Sequence, residues 1–219
     1  MIRLCIFDLD GTLVDSLKDL AFCCNEVLVE DGLPTHSLDA YRHFVGNGIP
    51  KLIERILPEE KRTEEILADV RRRFDEKYQV HCLDQTKPYP GIIDLLYACR
   101  EKEIRMAVLS NKEDAFAKSI CRAIFGEDFF DQVSGQKSDV PKKPAPDGVI
   151  FMLEAFDVRA DEAVLVGDTN VDILTAKNAG IHSIGACWGF RGREELETAG
   201  AEALAESPKD CRDIILVQK

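Results

Sequence analysis

Short runs of apolar residues alternate with helical patterns along most of the chain. The clearest runs cover residues 4–7, 106–109, 163–166 and 183–187. Runs of this length that are rich in Val, Ile and Leu are typical of buried parallel strands, and the helices between them cover both faces of the sheet. The pattern therefore predicts an α/β fold in which a parallel sheet lies between two helical layers.

The segment that follows Ser16 has a different pattern, because it contains no β-rich run and its apolar residues recur at helical spacing as far as about residue 85. The first predicted helix covers residues 17–28. The Ser16 hydroxyl could cap this helix, with Asp19 three residues further on as its partner in a capping box.

Two more helices are predicted in the same segment, one near residues 52–57 and one over residues 66–78. The strand pattern resumes only after the stiff turn at residues 88–91. A helical domain is therefore inserted into a Rossmann-like three-layer core. The predicted domains are residues 16–87 for the insertion, and residues 1–15 together with 88–219 for the core.

Composition narrows the range of partners. The chain has 219 residues and a net charge of −12, which argues against nucleic acid or an anionic membrane as a partner. No apolar run is long enough to span a membrane and no signal peptide is evident, so the expected location is cytoplasmic. The expected assembly is a monomer or a homodimer. The eight cysteines form no C-x-x-C pair, and most are expected to be reduced and buried.

Polar side chains follow three of the four apolar runs. Because the carboxyl ends of parallel strands meet at one edge of a sheet, these residues are expected to form a single site. A helix cap would explain any one of them, but not all three together. The residues concerned are Asp8 and Asp10 after the first run, Ser110 and Asn111 after the second, and Gly167 and Asp168 after the third.

The first of these strand ends is the most informative. Asp8 and Asp10 are two positions apart, so both can project to the same side, and Gly11 lets the backbone turn sharply. The string Asp-x-Asp-Gly-Thr-Leu after an apolar run resembles the first motif of the haloacid dehalogenase superfamily of phosphotransferases. This resemblance extends over nearly the whole chain.

Four later residues match the other motifs of that superfamily. Ser110 corresponds to its small hydroxyl residue, Lys143 to the lysine that precedes Pro-x-Pro, and Asp168 and Asp172 to the acidic residues of the fourth motif. Taken alone, Ser110 could equally be the cap of the helix that follows it. A lone lysine beside prolines, such as Lys143, is usually a solvated charge in a loop. Asp172 alone would interact favourably with a helix dipole.

The resemblance implies a mechanism. Asp8 attacks phosphorus and forms an aspartyl-phosphate, while Ser110 and Lys143 bind the other phosphoryl oxygens. Asp10 protonates the leaving group and then takes a proton from the hydrolytic water. Relatives that cleave carbon–halogen or carbon–phosphorus bonds lack this second aspartate, so a phosphate ester of a small metabolite is the expected substrate.

A divalent cation is expected in the same site. Four carboxylates within roughly 5 Å of one another would repel by about 3 kcal/mol per pair at an effective dielectric near 20, and a dication removes that penalty. Oxygen ligands and a phosphate substrate favour Mg²⁺. The predicted metal-site residues are Asp8, Asp10, Asp168 and Asp172. The resemblance implies that Asp8, Asp168 and the backbone carbonyl of Asp10 bind the ion directly, and it favours for Asp172 the orientation of the ion's waters or of Lys143.

The inserted helical domain resembles the small cap of phosphoglycolate phosphatases, which closes over the substrate. Its hinges would lie near residues 13–16 and 84–90. The predicted substrate-binding residues are Gly11, Thr12, Asn111, Gly48 and Lys51.

Further cap residues are candidates for contact with a second anion on the substrate. These are Arg42, His43 and Arg55, although a solvated cationic helix face would explain each one equally well. The run Trp188-Gly189-Phe190-Arg191 also resembles that subgroup, but the resemblance assigns it no role.

Several functions share these motifs. A sugar-phosphate mutase, a pyrophosphatase or a nucleotidase of the same superfamily would have the same core residues, and a binding scaffold without activity is a further alternative. Retention of the full motif set argues against the scaffold, since binding alone would not need it.

Overall fold

The computed structural model describes residues 1–217. The strands, numbered in chain order, are β1 (Leu4–Phe7), β2 (Val14–Asp15), β3 (Lys87–Pro88), β4 (Arg105–Glu113), β5 (Gln132–Gln136), β6 (Ala163–Gly167), β7 (His182–Ala186) and β8 (Ala203–Ala205). The α-helices are α1 (Leu17–Glu30), α2 (Leu38–Phe44), α3 (Ile49–Ile56), α4 (Glu64–His81), α5 (Ile92–Glu101), α6 (Asp114–Phe125), α7 (Asp147–Phe156), α8 (Asn170–Ala179), α9 (Arg193–Ala199) and α10 (Pro208–Val217).

The main sheet has six strands in the order β5-β4-β1-β6-β7-β8, and every pair of neighbours is parallel. Strand β1 lies between β4 and β6, with Ile6 paired to Ala107 on one side and to Leu165 on the other. All four residues of β1 are buried. The predicted α/β fold with a parallel sheet is confirmed.

The strands that the hydrophobic pattern predicts occupy the centre of this sheet, whereas its edges carry weaker patterns. The edge strand β5 has only partly buried residues, in the sequence QVSGQ, and β8 is three residues long. The β5 segment is mostly polar and β8 is only Ala-Leu-Ala, so neither stands out as a long apolar run. An edge strand packs against fewer neighbours than a central strand and needs less apolar surface.

The chain crosses between the core and the helical segment twice, and the two crossings lie side by side. Strands β2 and β3 pair in antiparallel fashion, with Val14 opposite Pro88 and Asp15 opposite Lys87. Helices α1 to α4 lie in sequence between them, and this segment is called the cap below. The domain boundary predicted at residues 15 and 16 directly follows the first crossing.

The apolar interior of the cap is continuous with one side of the core. Helix α4 buries Val70, Phe74 and Tyr78, the spacing of one helical face. Helix α2 is absent from the predicted elements because it has only seven residues, of which only Tyr41 is buried. The Tyr41 hydroxyl donates a hydrogen bond of 2.7 Å to Asn25 Oδ1 in α1, which ties α2 to the first helix.

The capping box predicted for α1 is wrong. No side-chain hydrogen bond caps this helix at Ser16, because the Ser16 hydroxyl donates instead to Asp10 Oδ1, at 2.5 Å. The Asp19 carboxylate is also engaged elsewhere. It accepts hydrogen bonds from the backbone N–H groups of Gln85 and Thr86, at 2.8 to 3.0 Å, and from the Thr86 hydroxyl at 2.7 Å. Asp19 therefore links the start of the cap to its end.

All eight cysteines are free thiols, and seven of them are buried. Within residues 1–217, no helix combines the length and the apolar character needed to cross a membrane.

We predict that Asp19→Asn destabilises the protein by about 1–3 kcal/mol, because the amide replaces an ionised acceptor of buried N–H and O–H donors. Urea unfolding measures the loss. Asp39→Asn is the matched control, since Asp39 also lies in the first turn of a helix but is exposed. Equal stability of the Asp19 variant and the control would contradict the inferred link.

Candidate active site

The carboxyl ends of three neighbouring strands carry the polar residues of the site. Asp8 follows β1, Ser110 lies near the end of β4, and Asp168 follows β6. The strand order places β1 between the other two, so their side chains meet at one edge of the sheet. All three residues are buried.

Three carboxylates lie close enough to share one cation. Asp8, Asp168 and Asp172 each offer an oxygen, and these atoms lie within 4.8 Å of one another. Burial is the main cause that raises the pKa of Asp168 well above its ordinary value, and the charges of Asp172 and Asp8 add to it. The cluster therefore holds its negative charge at a free-energy cost when nothing neutralises it.

Asp168 is fixed by bonds to both of its oxygens. Oδ1 accepts a hydrogen bond from the Thr12 hydroxyl at 3.1 Å, and Oδ2 accepts one from the Phe190 backbone N–H at 2.8 Å. Gly11 passes so close that a Cβ atom there would lie 2.3 Å from Asp168 Oδ2. Only glycine fits at this position, which explains its place in the Asp-Gly-Thr string.

Lys143 is the cation within this cluster. Its Nζ lies 2.6 Å from Asp172 Oδ1 and 2.9 Å from Asp8 Oδ1, and its side chain is 3% exposed. Burial acts to lower the pKa of Lys143, but the Asp172 and Asp8 carboxylates outweigh it and raise the pKa above its ordinary value. The ammonium group therefore stays charged beside Asp8.

Asp172 holds Lys143 from the first turn of α8. Its Oδ2 accepts hydrogen bonds from the Thr169 hydroxyl at 2.8 Å and the Thr169 N–H at 3.1 Å, while Oδ1 accepts from Lys143. The donors to Asp168 are neutral groups, whereas Asp172 Oδ1 is paired with the Lys143 ammonium. This ion pair favours an orienting role for Asp172 over direct binding of a metal ion.

Asp8 is less fully bonded than its neighbours. Its Oδ1 has an ion-pair contact with Lys143 but no hydrogen-bond partner of good geometry among the described residues. The pKa of Asp8 is raised to about 6, mainly by burial. The positive charge of Lys143 lowers this pKa and the negative charge of Asp172 raises it. Lys143 thus holds Oδ1 while the Asp8 side chain borders the cavity described below, where a carboxylate can attack or bind a cation.

The Asp10 carboxylate points away from this cluster, toward a second lysine. Lys112 Nζ lies 3.0 Å from Asp10 Oδ2 and 3.2 Å from Oδ1, and its side chain is 1% exposed. The ammonium group also lies 4.6 Å from the ring centroid of Tyr78 in α4. Asp10 thus has a different environment from Asp8 although both follow the same strand.

Sequence reasoning missed Lys112. One feature of the sequence could have indicated it: Lys112 lies two residues after Ser110. Alternate residues of a strand share a face, so both side chains can reach the same site. The pairing of β4 with β5 is irregular here. Leu109 pairs with Ser134 and Glu113 with Gln136, so β4 bulges between these pairs. Residues 110–112, all buried, lie within the bulge and approach Asp8 and Asp10.

A cavity of about 30 Å³ lies between the core and the cap. The core contributes polar groups, whereas the cap contributes mainly apolar side chains and two glycines. The lining residues are Asp8, Asp10, Ser110, Asn111 and Lys112 from the core, and Leu20, Val45, Gly46, Gly48, Ile49 and Leu52 from the cap. The space is small, closed on the cap side and charged on the core side.

The predicted substrate-binding residues divide into two groups. Asn111 and Gly48 line the cavity, while Gly11, Thr12 and Lys51 do not. Gly11 and Thr12 contact Asp168 instead. Lys51 lies on the outer face of α3, where it is exposed and pairs with Glu54 at 2.6 Å, because the opposite face of α3 is the apolar one.

The cationic candidates in the cap are also turned away from the cavity. Arg55 donates to the carbonyl of Phe44 at 2.8 Å and to Asn47 Oδ1 at 2.8 Å. Arg42 donates to the carbonyl of Gly189 at 3.4 Å, and His43 is exposed. In this structure these side chains support the cap loop and do not face Asp8.

Comparison with known proteins agrees with this geometry. The model of the haloacid dehalogenase-like hydrolase family matches residues 5–186. The chain belongs to this family. The phosphoglycolate phosphatase of Aquifex aeolicus (strain VF5) is 36% identical over 188 residues, 86% of each chain. That of Vibrio vulnificus (strain YJ016) is 32% identical and covers 99% of this chain and 97% of its own.

Among solved structures of similar shape is a predicted phosphoglycolate phosphatase from Haemophilus somnus 129PT. It superimposes with a TM-score of 0.91 at 27% identity and covers 97% of both chains. The family assignment therefore rests on sequence and on fold, over almost the full length of the chain.

The residues of this haloacid dehalogenase-like hydrolase fit a hard dication. Four carboxylates (Asp8, Asp10, Asp168 and Asp172) and two ammonium groups (Lys112 and Lys143) meet here, which leaves a formal excess of two negative charges. Asp8 Oδ1 is buried, and within residues 1–217 it has an ion-pair contact with Lys143 but no hydrogen bond of good geometry. The donor set consists of oxygen atoms only, which suits Mg²⁺ and argues against metals that prefer thiolate or imidazole.

We predict that Lys112→Met lowers the free energy of unfolding by about 3 kcal/mol, because Asp10 would keep a partly buried charge without its cation. Chemical denaturation at pH 7 measures the difference. Lys118→Met serves as the control, since the Lys118–Asp114 pair is half exposed and such pairs contribute little. A loss no larger than that of the control would contradict the pairing of Lys112 with Asp10.

Proposed function

We propose that this protein is a Mg²⁺-dependent phosphatase that hydrolyses a small phosphomonoester through an aspartyl-phosphate on Asp8. The observation that carries the proposal is the pair of aspartates at the floor of one cavity in two different electrostatic settings. Asp8 lies beside Lys143 and the acidic cluster, whereas Asp10 lies beside Lys112 and Ser16. Phosphoryl transfer needs a nucleophile and a separate proton donor, and this arrangement supplies both.

Asp8 is the nucleophile. Its side chain lines the cavity. Lys143 holds its positive charge 2.9 Å away, where it offsets the negative charge of an incoming phosphoryl group. The Ser110 hydroxyl, which also lines the cavity, donates to another phosphoryl oxygen.

Asp10 is the general acid and base. It protonates the leaving alkoxide, and then takes a proton from the water that hydrolyses the intermediate. Ser16 and Lys112 fix both carboxylate oxygens, so its rotamer is set before substrate binds. Ser16 begins the cap and Lys112 belongs to the core, so the orientation of Asp10 depends on both parts.

Mg²⁺ would be held by Asp8, Asp168 and the Asp10 backbone carbonyl. When bound, it supplies positive charge that polarises the phosphoryl group and offsets the acidic cluster. Asp172 keeps Lys143 in place beside it, and Thr12 and Phe190 keep Asp168 in its orientation.

The substrate has a small leaving group, and phosphoglycolate is the first candidate. The cap closes its side of the cavity with Leu20, Val45, Ile49 and Leu52, which supports a compact leaving group that the cap can enclose. The names of the relatives from Aquifex aeolicus and Vibrio vulnificus support the same choice. A small phosphorylated metabolite of this kind fits a cytoplasmic enzyme.

We predict that Asp8→Asn lowers kcat by at least about 10⁴-fold, because the amide is not a nucleophile. Phosphate release is measured with Mg²⁺ from phosphoglycolate, sugar phosphates, a nucleotide, pyrophosphate and an aryl phosphate. Asp213→Asn is the control, because Asp213 is exposed and, within residues 1–217, its ion pair is with its neighbour Arg212. It should retain full activity.

The same panel separates the alternatives. The proposal expects the highest kcat/KM for phosphoglycolate or another phosphate of two or three carbons. Full activity of Asp8→Asn would contradict the covalent mechanism. Absence of phosphate release from all substrates by the folded wild type would favour a mutase or a scaffold.

We predict that Mg²⁺ raises the Tm of metal-free protein, and that the rise is larger at pH 7 than at pH 5. The Asp8 and Asp168 carboxyls have raised pKa values, about 6 for Asp8, so below that pH protons compete with the cation. At 100 times its Kd, Mg²⁺ stabilises by about 2.7 kcal/mol, a shift of roughly 5–11 °C.

Thermal unfolding after treatment with a chelator measures this shift. Asp168→Asn should lose it at both pH values, whereas Asp161→Asn should keep it, since Asp161 is exposed and pairs with Arg159. An equal shift at pH 5 and pH 7, or a normal shift in the Asp168 variant, would contradict the assigned site.

A further inference from the structure

The loop formed by residues 188–191 touches the active site at two points. It follows β7 and carries the Trp-Gly-Phe-Arg run to which sequence reasoning assigns no role. Trp188 Nε1 donates to the carbonyl of Thr12 at 3.0 Å, and the Phe190 N–H donates to Asp168 Oδ2 at 2.8 Å. The loop is therefore bonded both to the turn after Asp8 and to a carboxylate of the acidic cluster.

The loop cannot move independently of that cluster. A Cβ atom at Gly189 would lie 2.2 Å from Asp168 Cβ and 2.4 Å from the carbonyl oxygen of Gly11. The backbone therefore packs directly on these two residues, and glycine is required by the close approach. A displacement of the loop would displace the Asp168 side chain with it.

The last residue of the loop reaches the cap. The Arg191 guanidinium donates to the carbonyls of Arg42, of His43 at 3.1 Å and of Val45 at 2.9 Å. These carbonyls lie at the C-terminal end of α2, where the helix supplies no further donors and a cation is favoured. In return, Arg42 donates to the carbonyl of Gly189.

The segment that Arg191 holds forms one wall of the cavity, since Val45 and Gly46 line it. Two other core side chains also donate to this segment: Asn111 to the carbonyl of Gly46 at 3.3 Å, and Lys142 to that of Asn47 at 3.1 Å. Arg191 makes the larger number of these bonds. It does not itself line the cavity.

The Arg191 side chain is 9% exposed, and its nearest carboxylate, Glu195, lies 3.7 Å from Nε. The guanidinium therefore donates its hydrogen bonds mainly to the cap carbonyls. These bonds exist only when the cap lies in the position seen here. Their free energy thus favours the closed arrangement over any open one.

We propose that Arg191 is a positioning residue that holds the cap closed over the active site, through a loop that also orients Asp168. The catalytic part of this inference rests on the proposed function, because closure matters only for a substrate enclosed by the cap. Its structural part, the stabilisation of residues 42–48 by Arg191, does not depend on any activity.

Hydrogen exchange of the substrate-free protein tests the structural part. In Arg191→Ala, the amides of residues 42–48 should exchange at least about tenfold faster than in wild type, since several charge-assisted bonds are lost. Exchange in β1 and β6 should stay unchanged. The matched control is Arg193→Ala, because Arg193 is an exposed arginine that pairs with Glu197 and Glu206 within the core.

Steady-state kinetics tests the catalytic part. For phosphoglycolate, or for the best small substrate, kcat/KM of Arg191→Ala should fall at least about tenfold. The proposal expects a smaller loss of kcat/KM for an aryl phosphate, because the cap encloses its bulkier leaving group less fully. A purely structural defect would lower both values together.

Unchanged exchange at residues 42–48 in a folded Arg191→Ala protein would overturn the proposal, and so would an equal loss for both substrates. If that variant does not fold, Arg191→Lys carries the test. Its single ammonium group cannot reach three carbonyls, so the same segment should exchange faster. If the wild type releases no phosphate from any substrate, the proposed function fails while the exchange result still decides the role of Arg191.

Discussion

The repulsion among buried carboxylates is the constraint around which this structure is organised. Carboxylate oxygens of Asp8, Asp168 and Asp172 lie within 4.8 Å of one another at the end of a parallel sheet. A fourth aspartate, Asp10, lies two residues after Asp8. Such a cluster persists only with compensating charge. The core supplies it twice, with Lys143 between Asp8 and Asp172 and with Lys112 against Asp10. The charge that remains suits a dication and a phosphoryl group.

The cap depends on the same cluster, because the groups that join it to the core also hold the aspartates. Ser16 begins the cap and donates to Asp10. The loop that binds Asp168 continues into Arg191, which donates to the cap carbonyls. Tyr78 of α4 lies over Lys112. The position of the cap and the geometry of the reacting groups are therefore coupled through short chains of bonds, as expected of an enzyme that closes over a small substrate.

Much of this could be predicted from the order of residues. The central strands are apolar runs, and Asp8, Ser110 and Asp168 follow three of them, so the α/β fold and the location of the site both emerge from local patterns. The edge strands β5 and β8 could not be found in this way, because they are short or half-exposed. The capping role of Ser16 and Asp19 was plausible locally and is wrong, since both side chains have partners elsewhere.

The buried strands, the apolar faces of the helices and the carboxylates at a strand end are all legible in the order of residues, because they follow from periods of two and 3.6 residues. The cations that pair with these carboxylates are set by the folded arrangement. Lys112 and Asp10 are 102 residues apart, and Arg191 and Val45 are 146 apart. Lys51 lies between Ile49 and Leu52 in the chain, and both of these line the cavity, but its own side chain is exposed and pairs with Glu54. Such pairings depend on strand order and on the orientation of the cap, which no local period encodes.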